Sequence, residues 1–309
     1  MDLEDPSVYT LLKSMRGIIA DNIPIQFLTG HTHYRGWTKL DDWAASFEAG
    51  HYLDTIGFCS FSSSFNQFSY DFIDANVPRM AAVLGLSDFQ TTAGKSLSNE
   101  IKAAQAALRL NQVYGCAPKT YYSGQPLDDE NSLWGLYASE VVPFTLFENN
   151  ASRVLIQSTG SLRYDLYSGQ VDKNDIVTMS PFEDSYWTVA QRIRGSTLKL
   201  VMANLNMASR SRVLETNRRH YNGTAATQID KLPAYISSGN VAKPDEHYDV
   251  FTALFDVSSV SSAFESLGIS TQNVQVYEKT TDTSIWSSYI AKEWPCEIGL
   301  KGLAHSRLK

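Results

Sequence analysis

An α/β fold, in the broad sense that includes α+β arrangements, is predicted for this chain by three observations. Its 309 residues are 43% hydrophobic and 12% aromatic, a composition that supplies a buried core and argues against disorder. A stretch with helical apolar spacing near the N-terminus is followed at once by a short apolar run that ends in glycine. Further on, two segments with helical periodicity lead into a run of β-branched and apolar residues. The length fits one large or two ordinary domains, and the elements group into residues 1–75 and 80–309.

The first element is a helix, with Asp5 as N-cap and Pro6 in the first turn. Val8, Leu11, Leu12, Met15, Ile18 and Ile19 recur along one face. Ile23-Pro24-Ile25-Gln26-Phe27-Leu28 reads as a buried strand, and short strands follow around residues 54–60. The stretch Phe61-Ser62-Ser63-Ser64-Phe65-Asn66-Gln67-Phe68 is turn-rich and marks the expected start of an inter-domain connection. In the second unit helical periodicity covers residues 99–110 and 131–147. Residues 152–157, with Val154, Leu155 and Ile156, read as a strand.

Gly30-His31-Thr32-His33 stands directly after the first apolar strand. In an extended segment Thr32 points one way while His31 and His33 point the other, and paired imidazoles are favoured ligands for zinc and similar divalent ions. Two histidines do not complete a catalytic metal site, which needs three or more protein groups. A pair of surface histidines in a loop is the plain alternative. In the second unit, Arg163 follows Gly160 at the end of a strand, where a guanidinium fork meets an anion, a sugar or an acidic side chain. Phe182 follows Pro181, which fits a stacking platform for a planar base or simple core packing.

A net charge of -7 disfavours a general nucleic-acid binder, which normally presents a basic surface. No apolar run approaches the roughly 18 residues that span a bilayer. Cys59, Cys116 and Cys296 leave two outcomes open, one disulfide in an oxidising compartment or three reduced thiols. The sequons at Asn150 and Asn222 permit a secretory, vacuolar or extracellular location, and a cytoplasmic one is the alternative.

Residues Ile25 to Arg35, with Gly30-His31-Thr32-His33 at their centre, resemble the last signature block of the calcineurin-like metallophosphoesterases, in the version carried by 5'-nucleotidases and their fungal relatives. Ala49-Gly50-His51-Tyr52-Leu53-Asp54-Thr55-Ile56-Gly57-Phe58 resembles the strand that follows that block. Gly160-Ser161-Leu162-Arg163, Gly169, and Ser180-Pro181-Phe182-Glu183-Asp184 resemble blocks of the 5'-nucleotidase C-terminal domain, and Tyr248 to Phe255 resembles the strand carrying a second base-stacking phenylalanine. The resemblance implies the closing edge of a metallophosphoesterase α/β sandwich over residues 1–75, then a substrate-binding C-terminal α/β domain over 80–309. It implies that His31 and His33 each serve one metal of a zinc or manganese pair. It also implies that Arg163, Phe182, Asp184 and Phe255 bind a nucleotide or another small phosphomonoester.

Departures qualify that picture. The family's other metal-binding blocks and its catalytic histidine precede the Gly-His-x-His block, whereas 29 residues precede Gly30 here, so the chain reads as N-terminally truncated and no catalytic residue is assigned. Asp184 replaces the usual asparagine and, when ionised, accepts hydrogen bonds only. Asp256-Val257-Ser258-Ser259-Val260-Ser261-Ser262 replaces a glycine-rich loop, and Trp134 stands about where some relatives carry an arginine. The expected function is therefore that of a 5'-nucleotidase-like, metal-dependent phosphoesterase of nucleotide catabolism with altered substrate preference. The alternative is a catalytically silent nucleotide-binding or partner-binding protein.

Overall fold

The computed structural model describes residues 3–30, 34–50, 53–62, 67–87, 91–220, 232–239, 243–271 and 274–296, with the backbone alone at 208–220, 278 and 279. The chain divides into two compact units, Met1–Ile101 and Lys102–Lys309. His31 and His33 lie outside the described residues.

Helix α1 (Pro6–Arg16) opens the first unit as its caps dictate, with the Asp5 carboxylate accepting a hydrogen bond from the Ser7 amide at 2.8 Å. Its buried Val8 and Leu12 turn inward, and Leu12 packs in a small cluster with Ile25 and Ala44. Strands β1 (Ile25–Leu28), β2 (Arg35–Asp41) and β3 (Ala44–Ala49) form a sheet in the order β1-β3-β2, with β1 parallel to β3. Strands β4 (Thr55–Ser62) and β5 (Gln67–Asp74) then pair antiparallel. Phe61, Ser62, Gln67 and Phe68 of the turn-rich stretch thus lie on paired strands inside the first unit and do not lead out of it, while residues 63–66 lie outside the described residues. Phe61 and Phe68 face each other across those strands with ring centroids 6.3 Å apart, a cross-strand aromatic pair that favours strand pairing over an open linker. Helix α2 (Val77–Leu84), capped by Asn76, and helix α3 (Thr92–Ala107), which starts ahead of the expected Asn99, complete this part of the chain.

The second unit is built on a five-stranded sheet in the order β10-β7-β11-β9-β12. Its strands are β7 (Arg153–Ser158), β9 (Ser185–Arg194), β10 (Tyr235–Ser237), β11 (His247–Ala253) and β12 (Gln275–Thr281), and β7 runs parallel to β11. Side chains alternate across a strand, and both faces here are apolar. Val154 and Ile156 join Val250, Val189 and the helices α7 (Gly195–His220) and α8 (Val257–Glu265) on one face. Leu155 joins Phe251, Tyr186 and α9 (Asp282–Glu293) on the other, together with Ile176 and Met179 of α6 (Lys173–Met179). The central strands therefore read as near-continuous apolar runs because helices cover them on both sides.

The expected helix over residues 131–147 forms as three consecutive pieces: α4 (Leu133–Leu136), a π-helical turn (Tyr137–Val141) and α5 (Val142–Thr145). Trp134 is buried in this core, edge-on to Tyr137 at 5.7 Å, which removes it from any ligand surface. Strands β6 (Val113–Ala117) and β8 (Gly169–Asp172) form a small antiparallel pair. Cys116 on β6 is disulfide-bonded to Cys296 beyond α9, and Cys59 is free. A Cβ at Gly115 would lie 2.3 Å from the Trp294 carbonyl oxygen, so only glycine lets the chain after α9 approach β6 this closely. No helix among the described residues is long and apolar enough to cross a membrane.

Candidate functional site

Parallel strands β7 and β11 deliver their C-terminal ends to the same edge of the sheet, and antiparallel β9 begins there, with Ala253 opposite Tyr186. That edge is where open α/β sheets commonly hold ligands. The segment after β7 carries Arg163, the segment before β9 carries Phe182 and Asp184, and the turn after β11 carries Phe255. The Arg163 amide donates to the Met179 carbonyl at 2.8 Å, fastening the first segment to the start of the second. The Arg163 guanidinium lies over the Phe182 ring, 5.2 Å from its centroid, within cation–π range.

Phe182 is 38% exposed and Phe255 79% exposed, which sets both rings apart from the buried aromatics of this unit. Phe182 is thus not enclosed in the core. Burial pushes the Asp184 carboxyl above its ordinary range.

Two further carboxylates lie beneath this surface, and neither stands out in the sequence. Asp256, next to Phe255, is buried and accepts from the Ser158 amide at 2.8 Å. Burial raises it, the Ser158 hydrogen bonds pull it back, and the Asp184 charge raises it again, so Asp184 and Asp256 sense each other. Asp282, the first residue of α9, is buried among Tyr137, Tyr186 and Gln157, and burial lifts its carboxyl to about 6. The same burial, with the Asp282 charge beside them, holds the Tyr137 and Tyr186 phenols well above their ordinary range. These residues come from positions 137 to 282, and only the capping pattern at Thr281-Asp282-Thr283-Ser284 marks one of them locally.

Helix α8 occupies the place of the glycine-rich loop. Without glycines the segment passes from a 3₁₀ turn at Leu254–Asp256 straight into helix, burying Val260, Ala263 and Phe264. Among the described residues no group of three or more His, Cys, Asp or Glu is placed to hold a metal ion.

Residues 119–249, which include β7 to β10 and the start of β11, match the family model of the NAD nucleotidase C-terminal domain. The second unit thus carries a match to the nucleotidase C-terminal-domain family. A 5'-nucleotidase from Candida albicans has the same fold, with a TM-score of 0.76 at 23% identity over 93% of this chain and 61% of its own. An uncharacterized protein of Saccharomyces cerevisiae is 30% identical over 248 residues, covering 72% of this chain and 39% of that protein. A protein of Arthroderma benhamiae named as secreted is 23% identical over 227 residues, 59% of this chain and 34% of its own length. The chain thus spans well under half the length of these two relatives. Family and fold together make it nucleotidase-like.

Proposed function

We propose that this chain serves a 5'-nucleotidase-like phosphoesterase of nucleotide catabolism, and that its second unit grips the nucleoside part of a nucleotide. The observation that carries this reading is the convergence of Arg163, Phe182, Asp184 and the Phe255 turn on one end of the central sheet, with the guanidinium over the Phe182 ring. The two exposed rings supply stacking surface for a base. Arg163 and Asp184 supply a donor fork and a carboxyl for ribose hydroxyls or ring nitrogens. Asp184 in place of asparagine favours ligands that bring hydrogen-bond donors, so substrate preference shifts away from strict adenosine monophosphate hydrolysis.

Metal chemistry, zinc or manganese as a Lewis acid on a phosphoryl group, would engage His31 and His33 and needs further ligands beside them. A secretory, vacuolar or extracellular setting is supported by the Cys116–Cys296 disulfide and by the relative named as secreted.

The test is calorimetric titration of adenosine and adenosine monophosphate into the whole chain, then into Phe182→Ala and Phe255→Ala. Each stacked ring should contribute about 1 to 3 kcal/mol, by analogy with base stacking on aromatic side chains. Loss of either ring should weaken binding to match. Absence of binding at millimolar nucleoside, or unchanged affinity in both variants, would remove this proposal.

A further inference from the structure

Under the ligand surface lies a buried polar cluster that recognition itself does not use. Asp282 Oδ1 accepts from the hydroxyls of Tyr186 and of Tyr137, the latter at 3.1 Å, and Oδ2 accepts from Gln157 Nε2 at 3.3 Å. Gln157 Nε2 also donates to Ser161 Oγ at 2.8 Å, and Tyr137 shares its single hydroxyl hydrogen between Asp282 Oδ1 and Gln157 Oε1, the latter at 2.7 Å. Every partner is buried. They sit on separate elements: Gln157 on β7, Ser161 two residues before Arg163, Tyr186 two residues after Asp184, and Tyr137 in the π-helical turn, a local irregularity often found at functional positions.

We propose that Asp282 is a positioning residue for the candidate ligand surface: its carboxylate clamps the segment bearing Arg163 to the segment bearing Phe182 and Asp184, and ligand affinity depends on that clamp. The inference rests on the nucleoside-binding reading above. Hydrogen bonds to an ionised carboxylate are roughly twice as strong as neutral ones. The first turn of α9 favours negative charge at this position. A buried carboxylate that serves only the core is readily replaced by apolar packing, whereas one that joins the ends of β7 and β9 fixes geometry.

The clamp is also sensitive to acid. The groups acting on Asp282 are the phenols of Tyr137 and Tyr186, the Gln157 amide, and the Asp184 carboxylate ahead of β9, which acts likewise on Asp256 after β11. With its carboxyl lifted to about 6, Asp282 takes up a proton under mildly acidic conditions and its charge-assisted bonds weaken.

The experiment uses the whole chain and two readouts, backbone amide exchange and adenosine titration, each at pH 5 to 7.5. The Arg163 amide, bonded to the Met179 carbonyl, reports on the clamp with no ligand present. Asp282→Asn should lower the Arg163 protection factor at pH 7.5 by about threefold or more and weaken adenosine by a similar factor. The wild type should move towards the variant near pH 6 while the variant stays flat. Tyr186→Phe, which removes one donor and keeps the ring, should shift the same amide and decides the matter if Asp282→Asn fails to fold. Unchanged protection at Arg163 overturns the clamp. So does wild-type adenosine affinity retained by both variants at every pH. A wild type that binds no adenosine sinks the ligand reading alone, and the clamp then stands or falls on the exchange data.

Discussion

Replacing Asp282 by asparagine should change how stability responds to pH, by an amount that its burial determines. The carboxyl ordinarily titrates at 3.8 and is held at about 6 in the fold, because removal from water outweighs the hydrogen bonds of Tyr186, Tyr137 and Gln157. Below 3.8 both folded and unfolded chains hold the proton. Between 3.8 and about 6 the folded chain holds it and the unfolded chain has lost it, and above about 6 both have lost it. The contribution of Asp282 to stability is therefore greatest below 3.8 and is lost as pH rises through about 6. At 1.36 kcal/mol per pH unit the loss comes to about 3 kcal/mol, with little solvent screening because the residue is 1% exposed. Urea unfolding of wild type and Asp282→Asn in steps from pH 4 to 7.5 isolates it, since most other titrating groups are shared and cancel on subtraction. The wild-type stability minus the variant stability should fall by about 2.5 kcal/mol across that range, the rest of the loss lying below pH 4. A difference that stays flat or rises with pH would refute the assignment of a buried, costly charge to this position. The same charge that burdens the fold is the one proposed to hold the ligand segments, a trade of stability for geometry seen at many functional sites.

Three further outcomes are expected. Cys116→Ser should destabilise the second unit by up to about 5 kcal/mol, since the disulfide joins residues 180 apart in sequence and restricts the unfolded chain, and unfolding with and without reductant measures this. Phe255→Ala should leave thermal stability within about 0.5 kcal/mol of wild type, whereas Phe251→Ala, at 3% exposure, should cost about 3 to 5 kcal/mol; equal losses would show that Phe255 is a packing residue. Phosphate release from nucleoside monophosphates with added zinc or manganese should stay near background, because two histidines, His31 and His33, do not by themselves complete a catalytic metal site. Robust turnover abolished by His31→Ala would reveal further ligands in the chain.

Local signals were legible wherever neighbours in sequence are neighbours in space. Asp5 and Pro6 specify the start of α1, the Val154-Leu155-Ile156 run specifies β7, and Arg163 and Phe182 follow from blocks in which a strand end or a proline turn sets the side chain. One local reading failed. The turn-rich sequence around Phe61 and Phe68 specifies what the chain tolerates, and the pairing partner decided the result: β5 returned on β4. The disulfide was undecided in sequence, because three cysteines allow several outcomes until β6 and the end of α9 meet. What composition and periodicity determined is an α/β chain, and the candidate residues of its second unit came from the family resemblance. Only the tertiary structure could place Arg163, Phe182 and Asp184 at one end of a sheet and set Asp282 under them. Those contacts join residues from 137 to 282, and the energy of a buried carboxylate depends on partners that no single segment encodes.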